Sequence, residues 1–64
     1  MGDRIKTLIA DDNRDFCEIL KDYFLEHDDF HLCGVAYNGL EALEMVEHLE
    51  PDILILDIIM PHLD

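Results

Sequence analysis

Basic residues are the scarcest chemical class in this chain. Lys and Arg number 4 against 16 Asp and Glu, a formal net charge of −12. That balance excludes direct binding of this segment to nucleic acid or to an anionic membrane surface, and it favours cations and basic partners. No apolar stretch approaches the roughly 18 residues that a membrane span needs. Arg4, Lys6 and the acids interrupt the N-terminus, so no signal peptide is expected. Cysteine is limited to Cys17 and Cys33, without Cys-x-x-Cys spacing. Reduced thiols in a cytoplasmic protein are the expectation, ahead of a Cys17–Cys33 disulfide. Repeats and low-complexity tracts are absent. At 64 residues the chain is one small domain or part of one, burying about 60% of its unfolded surface.

Half of the chain is hydrophobic, which argues against disorder. Its order reads strand, helix, strand, helix, strand. The first strand is expected over about Ile5–Ala10. A helix follows from near Asn13 to about His27, with Asp12 or Asn13 as its N-cap. Its apolar residues Phe16, Ile19, Leu20, Tyr23 and Phe24 fall on one stripe, read as core. A weaker strand over about His31–Ala36 is interrupted by Gly34. Tyr37-Asn38-Gly39 is a turn in which Asn38 can cap the next helix, about Leu40–Leu49. That helix carries Leu40, Leu43, Val46 and Leu49, widened by Ala42 and Met45, and stops before Pro51. The last strand is Ile53–Asp57, and Pro61 marks an exit loop.

Strands alternating with helices imply βαβ units and a parallel sheet. The acids constrain its order. Asp11-Asp12 ends the first apolar run and Asp57 ends the last, placing them at strand carboxyl ends, where open α/β sheets bind ligands. Strand neighbours lie about 4.8 Å apart, so these acids meet only if strands 1 and 3 are adjacent. The order is then 2-1-3, with the helices on opposite faces. This is the start of a flavodoxin-like doubly wound sheet.

Three crowded carboxylates repel, and they suit a hard, oxygen-seeking cation: Mg²⁺, or another divalent ion such as Ca²⁺ or Mn²⁺. Two or three carboxylates with one backbone carbonyl leave coordination positions open for phosphate oxygens. A carboxylate such as Asp57 can also attack a phosphoryl group and become an aspartyl phosphate. The plainer reading is that Asp12 only caps a helix and Asp57 only ends a strand. Convergence of all three acids under one sheet order favours the site.

Ile9-Ala10-Asp11-Asp12-Asn13 before a helix, with Leu56-Asp57-Ile58-Ile59-Met60-Pro61 after a strand, resembles the receiver domain of bacterial two-component response regulators. The runs Gly34–Gly39 and Asp57–Asp64 resemble sporulation-type regulators in particular. The resemblance covers essentially the whole chain. It implies that Asp57 is the phosphoacceptor and Asp12 a direct metal ligand, with Asp11 acting mainly through metal-bound water. It implies the Ile59 carbonyl as the backbone ligand, Met60-Pro61 shaping the loop beside the site, and a phosphohistidine on a histidine kinase or histidine phosphotransfer protein as donor. It implies a phosphoacceptor rather than an enzyme.

Against the family pattern, the expectation is a truncated receiver, βαβαβ, comprising the N-terminal half of the domain. The family's Ser/Thr after strand 4 and Lys after strand 5 have no counterpart; Lys6 lies near the wrong end of strand 1 and Lys21 in mid-helix. Phosphotransfer is therefore expected to be weak. Self-association is expected, through the strand 3 edge or by element swapping, because Ile53-Leu54-Ile55-Leu56 is apolar on both faces. A catalytically silent self-associating fragment and a small acidic metal-binding module are the competing classes. His31-x-Cys33 could ligate a soft metal, but His27, His48 and His62 lack zinc spacing and read as solvated. Glu41, Glu44 and Glu47 read as a solvated face. Gly34 and Gly39 make no phosphate-binding loop.

Overall fold

The computed structural model describes residues 4–57. Three parallel strands, β1 (Ile5–Asp11), β2 (Phe30–Ala36) and β3 (Ile53–Asp57), form one sheet in the order β2-β1-β3. Helices α1 (Arg14–Leu25) and α2 (Gly39–Leu49) make the two crossovers. The expected flavodoxin-like α/β architecture and strand order are those observed. β1 is central, and Thr7 through Asp11 are all buried. A strand covered on both faces has no polar side to alternate, hence the unbroken run Leu8-Ile9-Ala10.

Neighbouring residues of β1 point to opposite faces. Ile9 packs in one cluster with Cys17 and Phe24 of α1, joined by Leu20, Val35 and Ile55. Ala10 packs in another with Ala36 and Ala42, joined by Met45 of α2. The helices therefore cover opposite faces. On the α2 face, a Cβ added at Gly34 would meet Leu49 Cδ1 at 3.2 Å and Leu8 Cδ1 at 3.3 Å. Gly34 does not break β2. It lets α2 approach, and it sits beside a bulge in which Cys33 and Gly34 together oppose Leu8.

Both helices start on asparagine. Asn13 Oδ1 accepts from Phe16 N at 3.1 Å, and Asn38 Oδ1 from Glu41 N at 2.8 Å. Glu41 returns the favour by accepting from Tyr37 N at 2.8 Å, a variant of the capping box. Glu41 is thus a structural cap and not part of a solvated face. α1 ends at Leu25, short of the expected His27, because the amides of Glu26 and His27 bond back only three residues, to Tyr23 and Phe24. His27 Nδ1 lies 2.7 Å from the carbonyl of Tyr23, and its ring stacks on the Tyr23 ring at 4.1 Å. α2 ends on Glu50, whose φ of 49° is left-handed, just before Pro51.

The apolar stripes need correction. On α1 only Leu20 and Phe24 of the expected five pack into the core, with Cys17 beside them, while Phe16, Ile19 and Tyr23 are 40%, 63% and 52% exposed. On α2 the buried line is Ala42 and Met45, with Leu40 and Leu43 left exposed. A helix lying on a three-stranded sheet buries a narrower arc than its apolar stripe. Leu54 and Leu56 pair with Leu8 and Ala10 and so continue the α2 face, yet they too are exposed. Among the described residues β3 pairs only with β1, leaving its other edge open.

Candidate functional site: an acid pocket at the carboxyl edge of the sheet

Parallel β1 and β3 end in step. Asp11 and Asp57 are register partners, the last residues of their strands. Asp12 follows Asp11 directly. The three acids line one open pocket of about 340 Å³ together with Asn13 and Phe16. The expected 2-1-3 order puts all three acids on the lining of this pocket.

The three carboxylates sit in different surroundings. Asp11 is 3% exposed. Its Oδ1 accepts from Asn13 N at 2.8 Å, an Asx turn that starts the approach to α1. Its backbone carbonyl accepts from the Cys17 thiol at 3.4 Å, so α1 holds the strand end from one side. Burial, reinforced by the Asp11 carboxylate, pushes the Cys17 thiol above its ordinary 9.0. Asp11 Oδ2 is buried without a hydrogen-bond partner among the described residues. A native fold that leaves such an oxygen bare calls for a reason, commonly a ligand. Asp12 and Asp57 are exposed and can turn toward a shared ion.

The donor set fits a hard cation: carboxylate oxygens around an open pocket, one of them buried and unsatisfied. Among the described residues no three His, Cys, Asp or Glu groups close on a common point as a coordination shell does. The acids line the pocket without converging on one point. At the soft-metal alternative, His31 is exposed and the Cys33 thiol donates to Thr7 O at 3.3 Å. Cys17 and Cys33 are both free thiols. Ile59, with Met60 and Pro61, lies outside the described residues.

Two features at the start of α1 were not anticipated. Phe16, read as core, lines the pocket wall. Arg14, the first residue of α1, lies over the Tyr37 ring, 4.0 Å from its centroid. Lys6 is remote, as expected: its Nζ bonds to Leu49 O, and its backbone pairs with Asp52, at the amino end of the sheet.

Comparison with known proteins identifies the fold. The sequence model of the response regulator receiver domain matches residues 7–64. The chain belongs to the response regulator receiver domain family. The crystal structure of the response regulator domain of Thermotoga maritima CheB is similar, with 37% sequence identity and a TM-score of 0.87, over 97% of this chain and 46% of that one. The chain thus spans about half the length of that solved structure. Among the described residues no helix is long and apolar enough to cross a membrane.

Proposed function

We propose that this chain is the N-terminal half of a phosphoacceptor receiver, with Asp57 accepting a phosphoryl group from the phosphohistidine of a histidine kinase or histidine phosphotransfer protein. The observation that carries the reading is the in-register pairing of Asp11 with Asp57 at one open pocket. In the reaction, an Asp57 carboxylate oxygen attacks phosphorus, the bond from phosphorus to the donor imidazole breaks, and the imidazole leaves with the bonding pair. The exposed side chain of Asp57 gives the donor access. Asp11, held by Asn13 N–H, keeps its charge fixed at the pocket wall. Phe16 supplies an apolar wall that lowers the local access of water. Mg²⁺, or another divalent ion, would be held by Asp11, Asp12, Asp57 and the Ile59 carbonyl, where it offsets repulsion between nucleophile and incoming anion. The phosphoryl group is taken up once per chain, so the segment serves as acceptor and not as an enzyme.

The narrower resemblance of Gly34-Val35-Ala36-Tyr37-Asn38-Gly39 and of Asp57–Asp64 to stage zero sporulation protein A supports a place in a phosphorelay that controls sporulation transcription. Incubation with acetyl phosphate and Mg²⁺ tests the acceptor role. A slow, partial mass gain of about 80 Da, one phosphoryl group, abolished in Asp57→Asn, is expected. A gain that survives Asp57→Asn refutes the assignment.

A second reading, self-association, is favoured by the edge of β3 that is unpaired among the described residues and by the exposure of Ile53, Leu54 and Leu56 at 41%, 40% and 55%. Sedimentation at micromolar concentration distinguishes the two. A folded monomer of 7.5 kDa removes this second reading and leaves the first intact.

A further inference from the structure

Arg14 makes an unusual choice of partner. It stands beside Asp11, Asp12 and Asp15 in a strongly acidic chain, yet the ion pair present among the described residues is Lys21–Glu18. Its guanidinium lies on the face of Tyr37 instead. Tyr37 directly follows β2, and its own backbone N–H is anchored by Glu41 of α2. The stack therefore ties the β1–α1 loop to the β2–α2 loop, both at the carboxyl edge of the sheet. Arg14 is next in sequence to Asn13, whose N–H orients the Asp11 carboxylate. Asn13 O in turn accepts from Cys17 N at 3.0 Å, closing the first turn of α1. Tyr37, Arg14, Asn13 and Asp11 thus form a continuous path from β2 to the pocket.

We propose that the Arg14–Tyr37 stack is a clamp that holds the Asp11–Asp12–Asn13 loop in its cation-binding form, making Arg14 and Tyr37 positioning residues of the acid pocket. The proposal rests on the reading of that pocket as a divalent-cation site. Coulomb's law alone gives the opposite expectation. A guanidinium near the pocket opposes a second cation, so removing it should tighten binding. The clamp requires removal to loosen it. The sign of the effect separates the two.

The test is Mn²⁺ titration calorimetry on the full chain and on Arg14→Gln, Tyr37→Leu and Tyr37→Phe, with amide hydrogen exchange of Asn13 followed in cation-free buffer. Arg14→Gln and Tyr37→Leu should each weaken Mn²⁺ binding about two- to five-fold, the scale of an exposed cation–π contact. Tyr37→Phe keeps the ring face and should bind as the unaltered chain does. The Asn13 amide should exchange faster in Tyr37→Leu while the amide of Ile9 in the central strand is unchanged, a pattern that general destabilisation does not give. Unchanged or tighter binding in Arg14→Gln overturns the clamp, as does unchanged Asn13 exchange in Tyr37→Leu. If the unaltered chain binds no Mn²⁺, the cation reading of the pocket fails, and Asn13 exchange by itself decides whether the clamp exists.

Discussion

Replacing Asp11 with Asn should make the chain more stable in cation-free buffer and less stable than the unaltered chain in saturating Mg²⁺. Asp11 is buried, and only one of its two oxygens is bonded. Asn keeps the Oδ1 acceptor for Asn13 N–H and nearly the same volume. It removes a buried charge that faces Asp12 and its register partner Asp57. A buried polar group left unpaired costs about 1–3 kcal/mol. An amide in that place is still imperfectly bonded, so a net gain of about 1 kcal/mol is expected. In a domain this small that raises the melting midpoint by about 4–8 °C. Cation binding reverses the order. A ligand at a hundred times its Kd stabilises the native state by about 2.7 kcal/mol, more than the substitution gains, and the variant should not share in it. Thermal melts followed by circular dichroism, in EDTA and then in excess Mg²⁺, give the comparison. An Asn variant less stable than the unaltered chain in EDTA would show that the Asp11 carboxylate is an ordinary structural acceptor. A common melting order in both buffers would remove the cation site from this pocket.

Phe24→Ala should cost about 3–5 kcal/mol and leave the chain unfolded, because Phe24 packs against Phe30 at 5.2 Å inside the α1 cluster. Ile19→Ala, at a 63% exposed position of the same helix, should stay within about 0.5 kcal/mol, and equal losses in urea titrations would contradict the burial described. Glu50→Gly should raise the urea midpoint by relieving a left-handed residue at the α2 terminus, a gain of about 1 kcal/mol; an unchanged or lower midpoint counts against strain there. Cys17 should make stability fall in alkali. Its folded proton affinity is raised by burial, so its contribution is complete below 9.0 and is lost as pH rises from there through the raised folded value. Cys17→Ser should show a shallower decline in urea midpoints between pH 8 and 11, and parallel curves would refute the assignment.

The strands and their order were legible because each rests on a strong, local signal. β1 and β3 are short apolar runs ended by acids, and only one strand order lets those acids meet. The two asparagine caps were legible for the same reason, since Asn13 and Asn38 directly precede helical patterns. Burial on the helices was less so. Phe16, Ile19, Tyr23, Leu40 and Leu43 satisfy helical spacing, but periodicity does not say how wide an arc the sheet will cover. The capping role of Glu41 carried a signature, Asn38 three residues before an acid, that was read instead as part of an acidic face. The bulge at Cys33 and the Arg14–Tyr37 stack had no local signal. One depends on β1–β2 register, and the other joins loops that meet only once the sheet has formed.

The same contrast bears on how the acid pocket divides its work. Sequence presents Asp11, Asp12 and Asp57 as three equivalent carboxylates, and only the fold distinguishes them. Asp11 sits on the buried central strand and is oriented by Asn13 N–H. It can supply a fixed charge but cannot swing out to meet a partner. Asp12 stands just past the strand end, exposed and adjacent to the α1 cap. Asp57 is the last residue of β3 and its side chain is exposed, so its carboxylate has room to approach an incoming phosphorus. Fixed charge behind and a reachable nucleophile in front is the division of labour that acceptor chemistry requires. It follows from burying one acid and leaving its register partner exposed. An Asp11–Asp57 exchange of roles is therefore barred by burial: an Asp57→Asn chain should gain no phosphoryl group at Asp11, and phosphate found on Asp11 by peptide mapping of that variant would show that burial does not set these roles.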